Sequence, residues 1–127
     1  MGNGIDFKCR GCGHILKLGE GYGFMSCDER MHRTDALNGV YGETARRIMA
    51  EEEDIQTLWK VHVYHCTCGN YRSEGNITIY RPGKRTYTSF VRCELCGRRM
   101  RRTCLPRDPK CPKCGDIMDE CDIILWD

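Results

Sequence analysis

Alternating polar and apolar positions predict several short β-strands in this chain. The best signals are residues 77–80 and 86–91, which are rich in β-branched and aromatic side chains. Pro82 and Gly83 between them are typical turn residues, so residues 77–91 are predicted to form a hairpin. Three further segments have strand character: residues 14–18, 61–65 and 123–126.

Residues 43–59 show the spacing of three and four that is typical of an amphipathic helix. The apolar positions of this stripe are Ala45, Ile48, Met49, Ile55, Leu58 and Trp59. We interpret the stripe as a face packed on the core, with a partner-docking face as the alternative. Three glycines at positions 19, 21 and 23 predict a loop ahead of this helix.

The chain has 11 cysteines in 127 residues, and this density indicates either disulfides or metal sites. Eight of them form four close pairs, each followed by glycine, and such pairs bind a single metal well. The odd count and the absence of a signal-peptide pattern in the first residues favour metal over disulfides. We therefore expect an intracellular, cytoplasmic protein.

The order of the pairs predicts two four-cysteine sites. One would use Cys93, Cys96, Cys111 and Cys114, whose pairs are separated by 14 residues. The other would use Cys9, Cys12, Cys66 and Cys68, although the last pair has only one residue between its sulfurs. In an alternative arrangement Cys27 and His32 complete a site with Cys9 and Cys12, and Cys66 and Cys68 then bind metal with His62 or His65. Cys104 and Cys121 are interpreted as buried apolar residues or free thiols.

Four thiolates suit zinc and iron alike, and the C-x-x-C-Gly pairs are also similar to the iron-binding pairs of rubredoxin. The aromatic-rich rubredoxin framework is missing, which favours two Zn²⁺ ions. A site with four sulfur ligands has no open coordination position, so these ions would be structural.

The cysteine pairs resemble those of the zinc-ribbon superfamily, in which two C-x-x-C-Gly knuckles cap a small antiparallel sheet. The first half, with Cys9, Cys12, the glycines at 19–23 and a helix start at Glu43, is also similar to small uncharacterised bacterial zinc-ribbon proteins. The resemblance implies a metal-binding fold and no particular activity. We expect a small metal-bound α+β fold of two zinc ribbons with one inserted helix. Residues 1–75 would form the first ribbon and residues 76–127 the second, with its basic loop.

Charge is distributed unevenly, although the net charge is only +2. Residues 81–113 hold 11 Lys/Arg against two acids, whereas residues 114–127 hold five acids and no base. A ribbon would present these cations on a rigid scaffold, which predicts nucleic-acid binding through phosphate contacts. The predicted binding residues are Arg81, Lys84, Arg85, Arg92, Arg98, Arg99, Arg101, Arg102, Arg107, Lys110 and Lys113. Tyr80, Tyr87 and Phe90 could offer stacking faces to bases.

An alternative function is a protein-binding adaptor or inhibitor that docks an acidic partner through the same basic face and the helix. The basic face could also be a solvated surface, or it could pair with the acidic residues 116–122 of the same chain. We expect no enzymatic activity, because no catalytic constellation or phosphate-binding loop is present in the sequence. We also expect no membrane association, since no apolar run could span a bilayer, and no small-molecule substrate.

Overall fold

The computed structural model describes residues 2–21 and 29–126. This part of the chain contains seven strands and two short helices. The strands are β1 (Gly2–Cys9), β2 (Ile15–Gly21), β3 (Gln56–His65), β4 (Tyr71–Tyr80), β5 (Tyr87–Thr88), β6 (Arg101–Thr103) and β7 (Met118–Trp126). The helices are α1 (Glu29–Leu37) and α2 (Glu43–Glu51).

All these strands belong to one antiparallel sheet. Six of them follow the order β5-β4-β3-β2-β1-β7, and β6 pairs with β3 outside this order. The strands β3 and β4 pair over their full length, from Gln56 opposite Tyr80 to His65 opposite Tyr71. The sheet forks at β3, because only Val61 pairs with β2 while residues 63–65 pair with β6. The first and last strands of the chain, β1 and β7, lie side by side.

The core consists of three small apolar clusters. Phe7, Leu16, Leu18, Val63 and Met118 form the first, which is built mainly from β1, β2 and β7. The second joins the helices to β4 and contains Ala36, Ala45, Ile48, Ile55, Ile77 and Ile79. The third cluster contains Tyr64, Val91 and Met100, and it lies on the face of β3 opposite to Val63 of the first cluster. Cysteines complete the first and third clusters, so that apolar packing and the candidate metal sites share residues.

The predicted α+β fold of two small ribbons with one inserted helix is wrong. The structure has a β-rich fold with one seven-stranded sheet and two short helices. The ribbon hypothesis assumed that each half of the chain closes its own sheet. Pairing of β1 with β7 instead joins the two ends of the chain. The division into units 1–75 and 76–127 stays a prediction, and its boundary falls inside β4.

The predicted helix over residues 43–59 is too long. Helix α2 ends at Glu51, and Asp54 adopts a left-handed φ of 58° before β3 begins at Gln56. Ala45 and Ile48 face the core as expected, whereas Trp59 belongs to a strand. The sequence pattern did not predict α1, because its nine residues are mostly polar.

The hairpin predicted over residues 77–91 is present, with Thr78 opposite Thr88 and Ile79 opposite Tyr87. Gly19 and Gly21 belong to β2 and not to a loop, and Gly23 lies outside the described residues. The strand predicted at 123–126 forms the end of β7, which begins earlier at Met118.

The indole of Trp59 occupies the space above Gly75, where a Cβ atom would lie 2.2 Å from Cζ2 of the ring. On its other side the indole stacks on His32 of α1 at a centroid distance of 4.3 Å. We expect Gly75→Ala to lower the free energy of unfolding by about 1–3 kcal/mol, because the added methyl overpacks this contact. Denaturant titration measures the loss. Trp59→Phe removes the clashing atoms, so the methyl should cost less in that background. Equal costs in both backgrounds would contradict the contact.

Candidate metal centres

The outer site is built by the pairing of the first and last strands. Cys9 ends β1 and pairs with Met118, the first residue of β7. The knuckle that follows β1 contains Cys12, and the knuckle that precedes β7 contains Cys111 and Cys114. Antiparallel pairing therefore places these four sulfurs at one end of the β1–β7 ladder. We call Cys9, Cys12, Cys111 and Cys114 the outer site.

The inner site is built in the same way from strands β3 and β6. His65 ends β3 and pairs with Arg101, the first residue of β6. Cys66 and Cys68 follow β3 directly, and Cys93 and Cys96 form the knuckle ahead of β6. These four cysteines are the inner site. The two sites are thus nested in the sequence, with the inner one enclosed between the two pairs of the outer one.

The knuckles share one turn geometry. In the three C-x-x-C-Gly knuckles, the glycine amide donates to the carbonyl of the first cysteine, at 3.2 Å for Gly13 and 2.8 Å for Gly97 and Gly115. These glycines have φ between 74° and 79°, a region that strongly favours glycine. The Cys66–Cys68 knuckle closes with a shorter turn, in which Gly69 with φ 99° donates to Cys66 at 2.9 Å. The missing residue is therefore accommodated without loss of the turn.

The sulfur positions fit tetrahedral coordination of one ion at each site. The closest cross-knuckle distances are 3.3 Å between Cys9 and Cys114 and 3.3 Å between Cys66 and Cys96. Cys12 and Cys111 are 3.6 Å apart, and Cys68 and Cys93 are 3.7 Å apart. All four ligand atoms of a site lie within 4.8 Å of one another. Four sulfurs at ~2.3 Å from a zinc ion would be about 3.8 Å apart. The distances are too long for disulfides, and each of these cysteines is a free thiol.

Each site has a buried and an exposed half. Cys9 and Cys111 are buried in the outer site, as are Cys66 and Cys93 in the inner site, while the second cysteine of every knuckle is exposed. Backbone amides point at the buried sulfurs, with Cys12 N 3.4 Å from Cys9 Sγ and Lys113 N 3.4 Å from Cys111 Sγ. Such donors stabilise thiolate charge.

Asn70 supports the inner site with a side-chain amide. It is 4% exposed, and its Nδ2 donates to Cys93 Sγ at 3.5 Å and to Glu94 Oε1 at 3.0 Å. No metal-ligand pattern in the sequence pointed to this residue, and its only signal is that it directly follows the Cys66–Gly69 knuckle.

Gathering four thiols at one point shifts their pKa values in opposite directions. The amide of Cys12 helps to lower the pKa of Cys9 to about 7. Burial raises the pKa of Cys93, but donors led by Asn70 outweigh it and lower the pKa to about 6. The backbone amide of Asn70 lowers the pKa of Cys68, yet the neighbouring Cys66 and desolvation raise it to about 12. Some thiols of each site therefore resist ionisation until a bound cation offsets the repulsion among the sulfurs.

The eight predicted ligands come together, but the predicted partition does not hold. Cys93 and Cys96 lie with Cys66 and Cys68, not with Cys111 and Cys114. Spacing along the chain suggested that neighbouring knuckles share an ion, whereas strand pairing decides which knuckles meet.

The alternative histidine ligands lie elsewhere in the described part of the chain. Cys27 is outside the described residues. His32 is buried on α1, with its ring on Trp59 and its Nδ1 3.3 Å from the Tyr41 hydroxyl. His65 stacks on Tyr71, and His62 lies 3.5 Å from an Arg102 nitrogen. Cys104 and Cys121 are exposed free thiols, so the expectation that they are buried is wrong and the free-thiol alternative holds.

The predicted basic residues divide into two groups. Arg81 and Lys84 contact Glu52, at 2.7 Å and 3.4 Å respectively, and Arg81 leads the interactions that lower the Glu52 pKa. The other nine are exposed, and none makes an ion pair with a described carboxylate. They are Arg85, Arg92, Arg98, Arg99, Arg101, Arg102, Arg107, Lys110 and Lys113. No described acid of the strand β7 forms an ion pair with them, and Asp119 of this strand pairs with Arg10.

The fold and these clusters define a β-rich protein with two four-cysteine sites that could hold metal ions. No protein-family model matches the chain, and neither a curated protein nor a solved structure matches it significantly. Among the described residues, no helix is long and apolar enough to cross a membrane.

The partition can be tested with paired Cys→Ser substitutions. Cys9→Ser with Cys114→Ser disables one site in the nested arrangement, so we expect native mass spectrometry to show one ion instead of two. Cys9→Ser with Cys66→Ser should remove both ions. The partition predicted from the sequence, in which neighbouring knuckles share an ion, gives the opposite results for the two double variants. Cys104→Ser is the control and should keep both ions.

Asn70→Ala should weaken metal binding at the inner site alone. Loss of an outer-shell donor typically lowers metal affinity by about 10–100-fold. Competition with a chromophoric chelator should show one ion released more readily, while the outer site acts as internal control. Unchanged release of both ions would mean that the contact with Cys93 does not tune the site.

Proposed function

We propose that the chain is a non-catalytic zinc-binding module that binds nucleic acid through an arginine-rich surface. Zinc is favoured because four thiolates in a tetrahedron are its usual structural ligand set. Cys9, Cys12, Cys111 and Cys114 would hold one ion, and Cys66, Cys68, Cys93 and Cys96 the other. With four protein ligands, neither ion keeps a position for substrate, and this supports a structural role.

The observation that carries the proposal is the set of nine exposed cations without carboxylate partners. Most lie on segments that the candidate metal centres would hold rigid. Arg98 and Arg99 directly follow the knuckle that contains Cys93 and Cys96, the third along the chain, and an isolated antiparallel bridge pairs Arg92 with Arg99. Arg101 and Arg102 belong to β6, which is paired with β3. Lys110 and Lys113 belong to the fourth knuckle.

A rigid array of cations suits the phosphate backbone. Release of counterions from nucleic acid makes each phosphate contact favourable at low salt. Arginines on a fixed scaffold lose little conformational freedom on binding, and they can contact phosphate with two parallel hydrogen bonds. The acids of the chain are partly engaged elsewhere, since Glu52 pairs with Arg81 and Glu74 with Arg72.

Docking of an acidic protein partner is the second candidate function. The helical side of the molecule exposes Met31 and Leu37 on α1 and Val40 in the following turn. Such apolar residues beside a basic surface are compatible with a protein interface. A complex from cells that survives nuclease treatment and contains a stoichiometric protein would favour this candidate.

We expect the variant with Arg98, Arg99, Arg101 and Arg102 each changed to Glu to lose nucleic-acid binding by at least about 100-fold, because four phosphate contacts become repulsive. Fluorescence anisotropy with labelled DNA and RNA at several salt concentrations measures the affinity and its salt slope. Arg47→Glu changes an exposed cation on the helix α2, which is not among the predicted binding residues, and should leave affinity nearly intact. The melting temperature of both variants should stay close to that of the parent. Retention of binding by the quadruple variant would contradict the proposal.

A further inference from the structure

A cavity of about 230 Å³ lies between β3, β4, residues 88–90 and residues 99–102. Its wall includes Tyr64, Asn76, Thr88, Phe90, Arg99 and Arg102. The volume is below the roughly 300–1,000 Å³ of pockets for drug-sized ligands. It therefore suits a single planar group and not a larger metabolite.

The inner wall of the cavity is polar and incompletely satisfied. Tyr64 is 3% exposed, and its hydroxyl lies beside the Asn76 side chain without forming a hydrogen bond of good geometry to a described residue. Asn76 is also 3% exposed, and its amide donates to the carbonyl oxygen of Ser89 at 3.3 Å. Buried hydroxyls nearly always have a partner, so these two adjacent side chains give the cavity a polar wall that a ligand could contact.

The rim of the cavity is cationic and aromatic. The guanidinium of Arg99 lies 4.2 Å from the ring centroid of Phe90, which is 43% exposed. The guanidinium of Arg92 also lies over this ring, at 5.3 Å, and Arg102 lines the cavity with His62 as its neighbour at 3.5 Å. None of these arginines pairs with a described carboxylate, and Glu74 on the same face of β4 is held by Arg72 at 2.6 Å.

We propose that this cavity takes one unpaired nucleotide of a single-stranded nucleic acid. The base would enter beside Phe90 and use the polar wall at Tyr64 and Asn76, while its phosphate contacts Arg99 and Arg102. Aromatic faces and guanidinium groups are the usual partners of unstacked bases and their phosphates. This inference rests on the proposed nucleic-acid function and narrows it to single strands with accessible bases.

The test compares strands of equal charge with and without bases. The full-length metal-loaded protein is titrated with a labelled single-stranded oligodeoxynucleotide of about 12 residues and with its fully abasic counterpart. We expect the intact strand to bind about 5- to 150-fold more tightly, as stacking of one base would give. Binding of the same sequence as a duplex should be insensitive to filling of the cavity, because its bases are paired and not accessible.

Thr88→Trp is designed to fill the cavity from its exposed side. It should lower the affinity for the intact strand to that of the abasic strand and leave the abasic affinity unchanged. Thr86→Trp is the matched control, since Thr86 is exposed, nearby and not part of the cavity wall. Circular dichroism and metal content establish that both variants are folded.

The outcomes separate this inference from the proposed function. Equal affinity for intact and abasic strands, or no effect of Thr88→Trp, would overturn the cavity proposal, while a steep salt dependence would still support the basic surface. A complete lack of strand binding at low salt would overturn both. A deoxynucleoside monophosphate that binds the parent, but not Thr88→Trp, supports the cavity only if intact strands also bind; binding of the free nucleotide alone would overturn the assignment to a strand.

Discussion

The rest of the structure depends on the repulsion among four sulfur atoms gathered at each of two points. Within a site these atoms lie no more than 4.8 Å apart, and the pKa values of Cys68 and Cys114 rise to about 12, with neighbouring sulfurs among the causes. A divalent cation bound there would convert this repulsion into attraction and link two distant stretches of chain. The apolar interior alone is divided into three small clusters, and a chain of this size gains much from such links.

The candidate metal centres are continuous with the apolar packing. Cys9 and Cys111 belong to the cluster around Phe7, and Cys66 and Cys93 belong to the cluster around Tyr64. The buried cysteine of each knuckle therefore packs as a small apolar residue and also offers its sulfur to the site. Only the helical cluster around Ile48 and Ile77 contains no ligand. The helices are thus held by side-chain packing, whereas the sheet ends and the cationic loops are positioned by the knuckles.

The sequence was informative where the chemistry is local. A cysteine pair followed by glycine specifies its own turn, so the eight ligands and the positive φ of Gly13 and Gly97 could be predicted without knowledge of the fold. The hairpin around Pro82 is likewise encoded by adjacent residues. The partners of each knuckle could not be predicted, because they depend on pairing of β1 with β7 across more than 100 residues. The helix was extended to residue 59 because Leu58 and Trp59 fit a helical period by coincidence, while the backbone reverses at Asp54. The cavity at Tyr64 and Asn76 depends on four segments and has no local signal.

The nested order of the two sites has a consequence for the order in which the protein acquires its structure. During synthesis the chain emerges from its N-terminal end, and the inner site has all its ligands once Cys96 has appeared. The outer site has to wait for Cys111 and Cys114, and until then Cys9 and Cys12 are available to other metal ions or to the wrong knuckle. Early closure of the inner site would occupy Cys66 and Cys68 and so remove the most accessible wrong partners. The inner site can in this way direct the cysteines of the outer site to one another.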